Sequence, residues 1–332
     1  MKYQALILII AILFSTLMLR ALISDERASL RNPSIPESIT NLGTYVVPSL
    51  SQRNKFQTLP LQEPRSILPL QATSSQEENS VVEKPFVGST ASSCAVHVAA
   101  YLVKDITHGN IIISENETGR RPIASVSKLM TTLIATESMQ PDIVVTVSES
   151  AHTLADGYAS LEVDASYTVG DLIRAALVVS SNDAAYALAQ SFGYDAFIAR
   201  MNEKAKAIGM TQTIFSEPSG LSYLNQSTAS DLALLLEYIY HTQPALLALT
   251  REKLVPIVNQ TRQRTIQLSN VDYFAGTKDF IGGKTGFINE SGGNLVTLFK
   301  RGSAIWAVEV LGSNDRFADV SKLLLCAQKT QK

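Results

Sequence analysis

The sequence predicts an α+β fold. One antiparallel sheet is assembled from both ends of a domain over 94–332, and a helical lobe is inserted between them. Three observations predict it. Two β-rich runs flank a turn at the start of the domain, in "AVHVAAYLVKDITHGNIIISEN" (95–116). Helical periodicity then dominates the middle. Beyond Arg264 strand-like runs return, and a last helix closes the chain.

Each element has a local reason. Asp105, His108, Gly109 and Asn110 supply turn chemistry between the first two strands. A helix is expected from Ser125, followed by a polar, irregular stretch with short strands at "IVVTVS" and "ASLEV". From Thr168 to about Ile208 the pattern is helical: Leu172, Ile173, Ala176 and Leu177 recur on one face, and "NDAAYALAQSF" continues the period. "STASDLALLLEYIY" opens with polar cap candidates and carries Leu232, Leu235, Leu236 and Ile239. "RTIQLSN", "FIGGKTG", "GNLVTLF" and "AIWAVEVLG" read as strands, and "RFADVSKLLLCAQ" as the closing helix. There is no internal repeat.

The chain has 332 residues, of which 45% are hydrophobic and 17% charged, with a net charge of −2. No basic excess points to nucleic acid. The N-terminus differs from the rest. After Lys2, residues 3–19 carry no charge, and as a helix they would span about 26 Å, just short of a hydrocarbon core of roughly 30 Å. No small-x-small cleavage site is evident, since Leu17, Leu19, Leu22 and Ile23 occupy the candidate positions. Residues 1–23 are therefore expected to be an uncleaved membrane anchor, with a cleaved signal peptide as the alternative. Either places the remainder in the cell envelope as an exported protein. Residues 24–93 hold Pro33, Pro36, Pro48, Pro60, Pro64, Pro69 and Pro85 among many Ser and Gln, and are expected to form an extended linker. In an exported domain Cys94 and Cys326 either form a disulfide or remain thiols. Spacing alone does not decide, because a bridge needs the two Cα atoms within ~7 Å.

The four histidines (His97, His108, His152, His241) are scattered, and no metal-ligand spacing, GxSxG elbow, Walker loop or dinucleotide fingerprint is present. No cofactor or metal is expected. Ser125 and Lys128, in "IASVSKLMTT", stand three apart and share a helix face, so the amine can reach the hydroxyl. By itself that pair reads first as a cap serine beside a surface lysine. Two further elements change the weighting. Ser180-Ser181-Asn182 places polar groups at a helix junction inside an apolar run, where they must be satisfied or functional. Lys284-Thr285-Gly286 ends a strand whose Gly282, Gly283 and Gly286 let a ligand approach the backbone.

On these three elements, and on "MNEKAKAIGMTQTIFSEPSGL" and "STASDLALL", residues from about 95 to 327 resemble the penicillin-recognising serine transferases. Within that group they are most similar to the low-molecular-weight D-alanyl-D-alanine carboxypeptidases of the S11 peptidase family. The resemblance implies a β-lactamase/transpeptidase-like fold, with the antiparallel sheet flanked by helices. It implies peptidoglycan stem peptides as substrates and β-lactams as inhibitors. It implies that Ser125 is the nucleophile, Lys128 its base and Ser180 a proton relay. Asn182 would bind the substrate backbone, and Lys284, Thr285 and Arg316 its terminal carboxylate. Gly286 precedes Phe287, whose backbone N–H would form the oxyanion hole with that of Ser125. Where relatives often have Gly, Asn or Asp, this chain has Ser181 and Glu217. Three other readings compete: a D,D-endopeptidase acting on cross-links, a class A β-lactamase and a non-enzymatic penicillin sensor. The β-lactamase lacks support, because Leu221 stands where a Glu-x-x-x-Asn pattern starting at Glu217 would need Asn.

Overall fold

The computed structural model describes residues 94–154 and 161–331. The anchor and linker expectations, and the first part of "ASLEV", lie outside the described residues.

The described chain opens with the hairpin β1 (Ala100–Asp105) and β2 (Asn110–Glu115), followed by the short β3 (Arg121–Pro122). A 3-10 turn over Ala124–Ser127 leads into α1 (Lys128–Ser138). Next come β4 (Val144–Thr146), α2 (Glu149–Leu154) and β5 (Ser166–Thr168). Three consecutive helices follow, α3 (Val169–Val178), α4 (Asn182–Phe192) and α5 (Tyr194–Ile208). After β6 (Gln226–Ser227) come α6 (Ala229–Thr242), α7 (Pro244–Arg251) and the hairpin β7 (Leu254–Asn259) and β8 (Arg264–Ser269). β9 (Phe280–Ile288), β10 (Gly292–Arg301), β11 (Ala304–Ser313) and α8 (Arg316–Thr330) complete it.

The main sheet runs β2-β1-β11-β10-β9 with antiparallel pairing throughout, so strands from both ends of the domain meet at β1–β11. Both faces are covered, which explains why its central strands read as nearly continuous apolar runs rather than alternating ones. Tyr101, Val103, Leu295, Phe299, Trp306, Val308 and Val310 pack with Val320, Leu323 and Leu324 of α8. Leu102, Val296, Leu298, Ala307 and Leu311 point the other way, into the larger core that includes α1, α3, α4 and α6.

Several expectations change in detail. The α-helix begins at Lys128, not Ser125, because residues 124–127 wind more tightly. The described part of "ASLEV" is not a strand; β5 lies just beyond it and pairs with β4. His97 precedes β1 instead of lying in a strand. "RTIQLSN" is a strand, but it pairs with β7 in a separate hairpin. Gly282 and Gly283 serve packing, not a ligand. A Cβ on Gly282 would meet Leu247 O at 2.6 Å, and one on Gly283 would meet Val296 O at 2.4 Å.

Cys94 and Cys326 are bonded, with Cα atoms 5.8 Å apart, and join the start of the domain to its last helix.

Candidate active site

The site forms where the turn before α1, the α3–α4 junction and the end of β9 converge. Ser125 lies on the 3-10 turn and Lys128 on the first residue of α1. Side-chain caps hold the junction and its surroundings. Ser181 Oγ accepts from Ala184 N–H at the start of α4, and Thr168 Oγ1 caps α3 through Asp171 N–H. Ser181 N–H donates back to Ala175 O at 3.0 Å, and Ser180 between the two helices takes a positive φ of 60°. The break in helical periodicity thereby aims Ser180 and Asn182 at the cleft.

Lys128 is fully buried, and its Nζ has three acceptors: Ser125 Oγ at 2.9 Å, Asn182 Oδ1 at 2.7 Å and Ser219 O at 2.6 Å. Burial pushes its pKa well below the ordinary lysine value, and the positive charge of Lys284 pushes it further. The negative charge of Glu217 opposes both. Lys284 Nζ donates to Ser180 Oγ at 2.9 Å and to Thr285 O at 2.9 Å. Burial lowers Lys284 to about 7; Asp272 pulls it up and Arg316 pulls it down. Asp272, buried behind this pair, is raised by burial to about 6. Lowering an amine's pKa enlarges the neutral fraction that can accept a hydroxyl proton, which is very small for an ordinary surface lysine.

An open cleft of about 580 Å³ lies in front of these amines. Its lining includes Ser125, Ser180, Asn182, Thr285, Gly286, Phe287 and Arg316, while Lys128 and Lys284 stand behind the two serines. Gly286 is required by close approach. A Cβ there would lie 2.7 Å from Ile123 O and 3.1 Å from Ser125 N, so β9 runs directly beside the backbone N–H of the nucleophile candidate. Arg316 Nη1 donates to Gly286 O at 3.4 Å, and its guanidinium lies 5.1 Å from the Phe317 ring centre.

All nine residues singled out from sequence therefore gather at one place. Sequence reasoning missed Ser219, Asp272 and the wall residues Leu221, Val271, Asn289 and Glu290. The signal for Ser219 was present in "SEPSGL", but a backbone carbonyl leaves no mark of its role in residue type. Among the described residues no cluster of His, Cys, Asp or Glu could hold a metal ion.

The fold and this constellation define a penicillin-binding, D,D-peptidase class of protein. Penicillin-binding protein D2 of Listeria monocytogenes, in its ampicillin-bound form, superposes with a TM-score of 0.61 at 27% identity, covering 70% of this chain and 98% of that one. Residues 87–314 match the family model described as D-alanyl-D-alanine carboxypeptidase, peptidase S11, and the chain belongs to that family. It is thus a serine-type peptidase, a hydrolase. A D-alanyl-D-alanine endopeptidase of Escherichia coli K12 is 32% identical over 251 residues, which is 73% of this chain and 81% of that protein. The D-alanyl-D-alanine carboxypeptidase DacC of the same organism is 29% identical over 255 residues, 71% of this chain and 62% of that longer protein.

Proposed function

We propose that the protein removes the terminal D-Ala from peptidoglycan stem peptides through an acyl-enzyme on Ser125. The carrying observation is the buried Lys128 amine 2.9 Å from Ser125 Oγ, with Lys284 and Ser180 as a second amine–hydroxyl pair across the same cleft. Lys128 Nζ takes the Ser125 proton as Oγ forms its bond to the penultimate D-Ala carbonyl carbon. The N–H groups of Ser125 and Phe287 receive the developing oxyanion, and such donors are typically worth a few kcal/mol each. Ser180 relays a proton to the departing amine as the C–N bond breaks. Asn182 holds both the substrate backbone and Lys128. Lys284, Thr285 and Arg316 bind the terminal carboxylate. Water then attacks the ester, releasing the shortened peptide and returning the proton to Ser125. A β-lactam acylates the same oxygen and leaves slowly.

A second reading is endopeptidase action on D-Ala cross-links, which uses the same acyl chemistry. The endopeptidase from E. coli, at 32% identity, favours it. Intact-mass measurement after incubation with benzylpenicillin tests the serine assignment. An adduct on the native protein and none on Ser125→Ala is expected; an adduct on both, or on neither, overturns it. Products from a pentapeptide and from a cross-linked dimer decide which bond is cut.

The uncharged run over 3–19 supports membrane anchoring, and the Cys94–Cys326 bond supports an oxidising compartment outside the cytoplasm. Recovery of the full-length chain, with its N-terminus intact, in the membrane fraction is the expected result. A soluble, shortened form would instead indicate a cleaved signal.

A further inference from the structure

Glu217 is a buried carboxylate that the proposed chemistry does not use, and its hydrogen bonds converge on one short loop. Its Oε2 accepts from Ser219 N–H and from Ser219 Oγ–H, both at 2.6 Å. Its Oε1 accepts from Gly220 N–H at 2.5 Å, from Asn225 Nδ2 at 3.0 Å and from Ser222 N–H at 3.3 Å. Asn225 in turn holds the Glu217 backbone, accepting its N–H at 3.2 Å and donating to its carbonyl at 2.9 Å. Asn225 also donates to Ser127 Oγ at 3.0 Å, on the turn that carries Ser125.

One of these bonds leads directly to the proposed base. Gly220 N–H and Ser219 C=O belong to the same peptide unit. The carboxylate therefore grips the N–H end of that unit while its oxygen accepts from Lys128 Nζ at 2.6 Å. An anion at the N–H end polarises the peptide and strengthens the carbonyl as an acceptor. The unit itself is pressed against the nucleophile. A Cβ on Gly220, whose φ is +85°, would lie 1.9 Å from Ala124 O and 2.7 Å from Ser125 N. Two phenols also face the carboxylate, Tyr186 of α4 and Tyr194 of α5. Burial first, then the charge of Glu217, pushes both their pKa values up.

We infer that Glu217 is a positioning residue for the acylation step: through the 219–220 peptide it holds Lys128 in line with Ser125. The inference rests on the reading of Ser125 as nucleophile and Lys128 as its base. Lys284 is the opposing influence, because its charge and that of Glu217 act on Lys128 in opposite directions.

The test is the rate of benzylpenicillin acylation of the full-length chain, followed by intact mass from pH 5 to 10. Native protein, Glu217→Gln, Glu217→Asp and Ser125→Ala are compared. Losing the anion in Glu217→Gln is expected to move the acid limb to lower pH. It should also lower the plateau about tenfold, as the amine loses its alignment. Glu217→Asp keeps the charge but shortens the reach, so the limb stays in place while the plateau falls. A Glu217→Gln profile that is unchanged, or uniformly lowered with its limb in place, overturns the inference. So does a displaced limb in Glu217→Asp, which holds even if Glu217→Gln does not fold. An adduct on Ser125→Ala would instead defeat the serine assignment itself, so the two failures are distinguishable.

Discussion

Lys128 and Lys284 are two fully buried amines in one site, and burial shifts both in the same direction. Their proposed tasks differ, since Lys128 must be neutral to take a proton and Lys284 must be charged to hold a carboxylate. Lys284 falls to about 7, so its proton is lost as pH rises through neutrality. The KM for a D-Ala-terminated peptide is therefore expected to rise above about pH 7; a KM level from pH 6 to 9 would refute this. For stability the sign is opposite. Between about 7 and the ordinary value of 10.5, the folded state binds fewer protons than the unfolded one, so this group's contribution grows with pH over that window. Gly220 offers a steric test. In Gly220→Ala the new methyl meets backbone atoms that cannot rotate away, and displacement of Ser125, the proposed nucleophile, by about 1 Å costs on the order of a hundredfold in rate. Acylation measured with benzylpenicillin should show that loss.

At the scale of elements, the break between α3 and α4 decides where Ser180, the proposed proton relay, stands. Ser181 caps α4, and Asp183 in its first turn is buried and accepts from Leu161 N–H at 2.5 Å. Burial raises the pKa of Asp183, an effect that this hydrogen bond and His152, 3.4 Å away, both oppose. The junction is thus tied to the chain on either side of residues 155–160. Ser181→Ala removes the cap and should cost about 1 kcal/mol, whereas Ser181→Gly should cost only a few tenths. Thermal melting of the two variants checks the order, and a larger loss with glycine would argue against capping as the role of this hydroxyl.

Over the whole molecule, two features set stability without touching the cleft chemistry. Glu309 on β11 is fully buried on the face turned toward α6, and neither carboxyl oxygen has a hydrogen-bond partner among the described residues. Burial raises its pKa well above 4.5, and Lys104 only partly opposes this. The folded state therefore holds a proton that the unfolded state releases, and stability from this group falls as pH rises above about 4.5. Glu309→Leu should raise the melting temperature, and by more at pH 8 than at pH 5; an equal gain at both would show that the carboxyl does not titrate in this way. The disulfide spans a sequence separation of 232 residues. Its removal in Cys94→Ser should lower unfolding stability by about 2–5 kcal/mol, read from the urea midpoint.

Much of this protein was legible in its sequence. Helical periodicity and turn residues marked the first hairpin, α6 and α8. Three short motifs in a fixed order named seven residues, and the family resemblance added Phe287 and Arg316, all of which the fold gathers at one cleft. Those signals survive because side-chain type and spacing record local backbone geometry and the chemistry of reacting groups. Tertiary structure alone decided the rest. It paired β1 with β11, bonded Cys94 to Cys326, assigned Gly282 and Gly283 to packing and buried both lysines deeply enough to lower their pKa values. It also placed the Glu217 carboxylate behind the Ser219 carbonyl. Each of these depends on what a group meets across long sequence separations, and desolvation and close approach have no local signature in residue order.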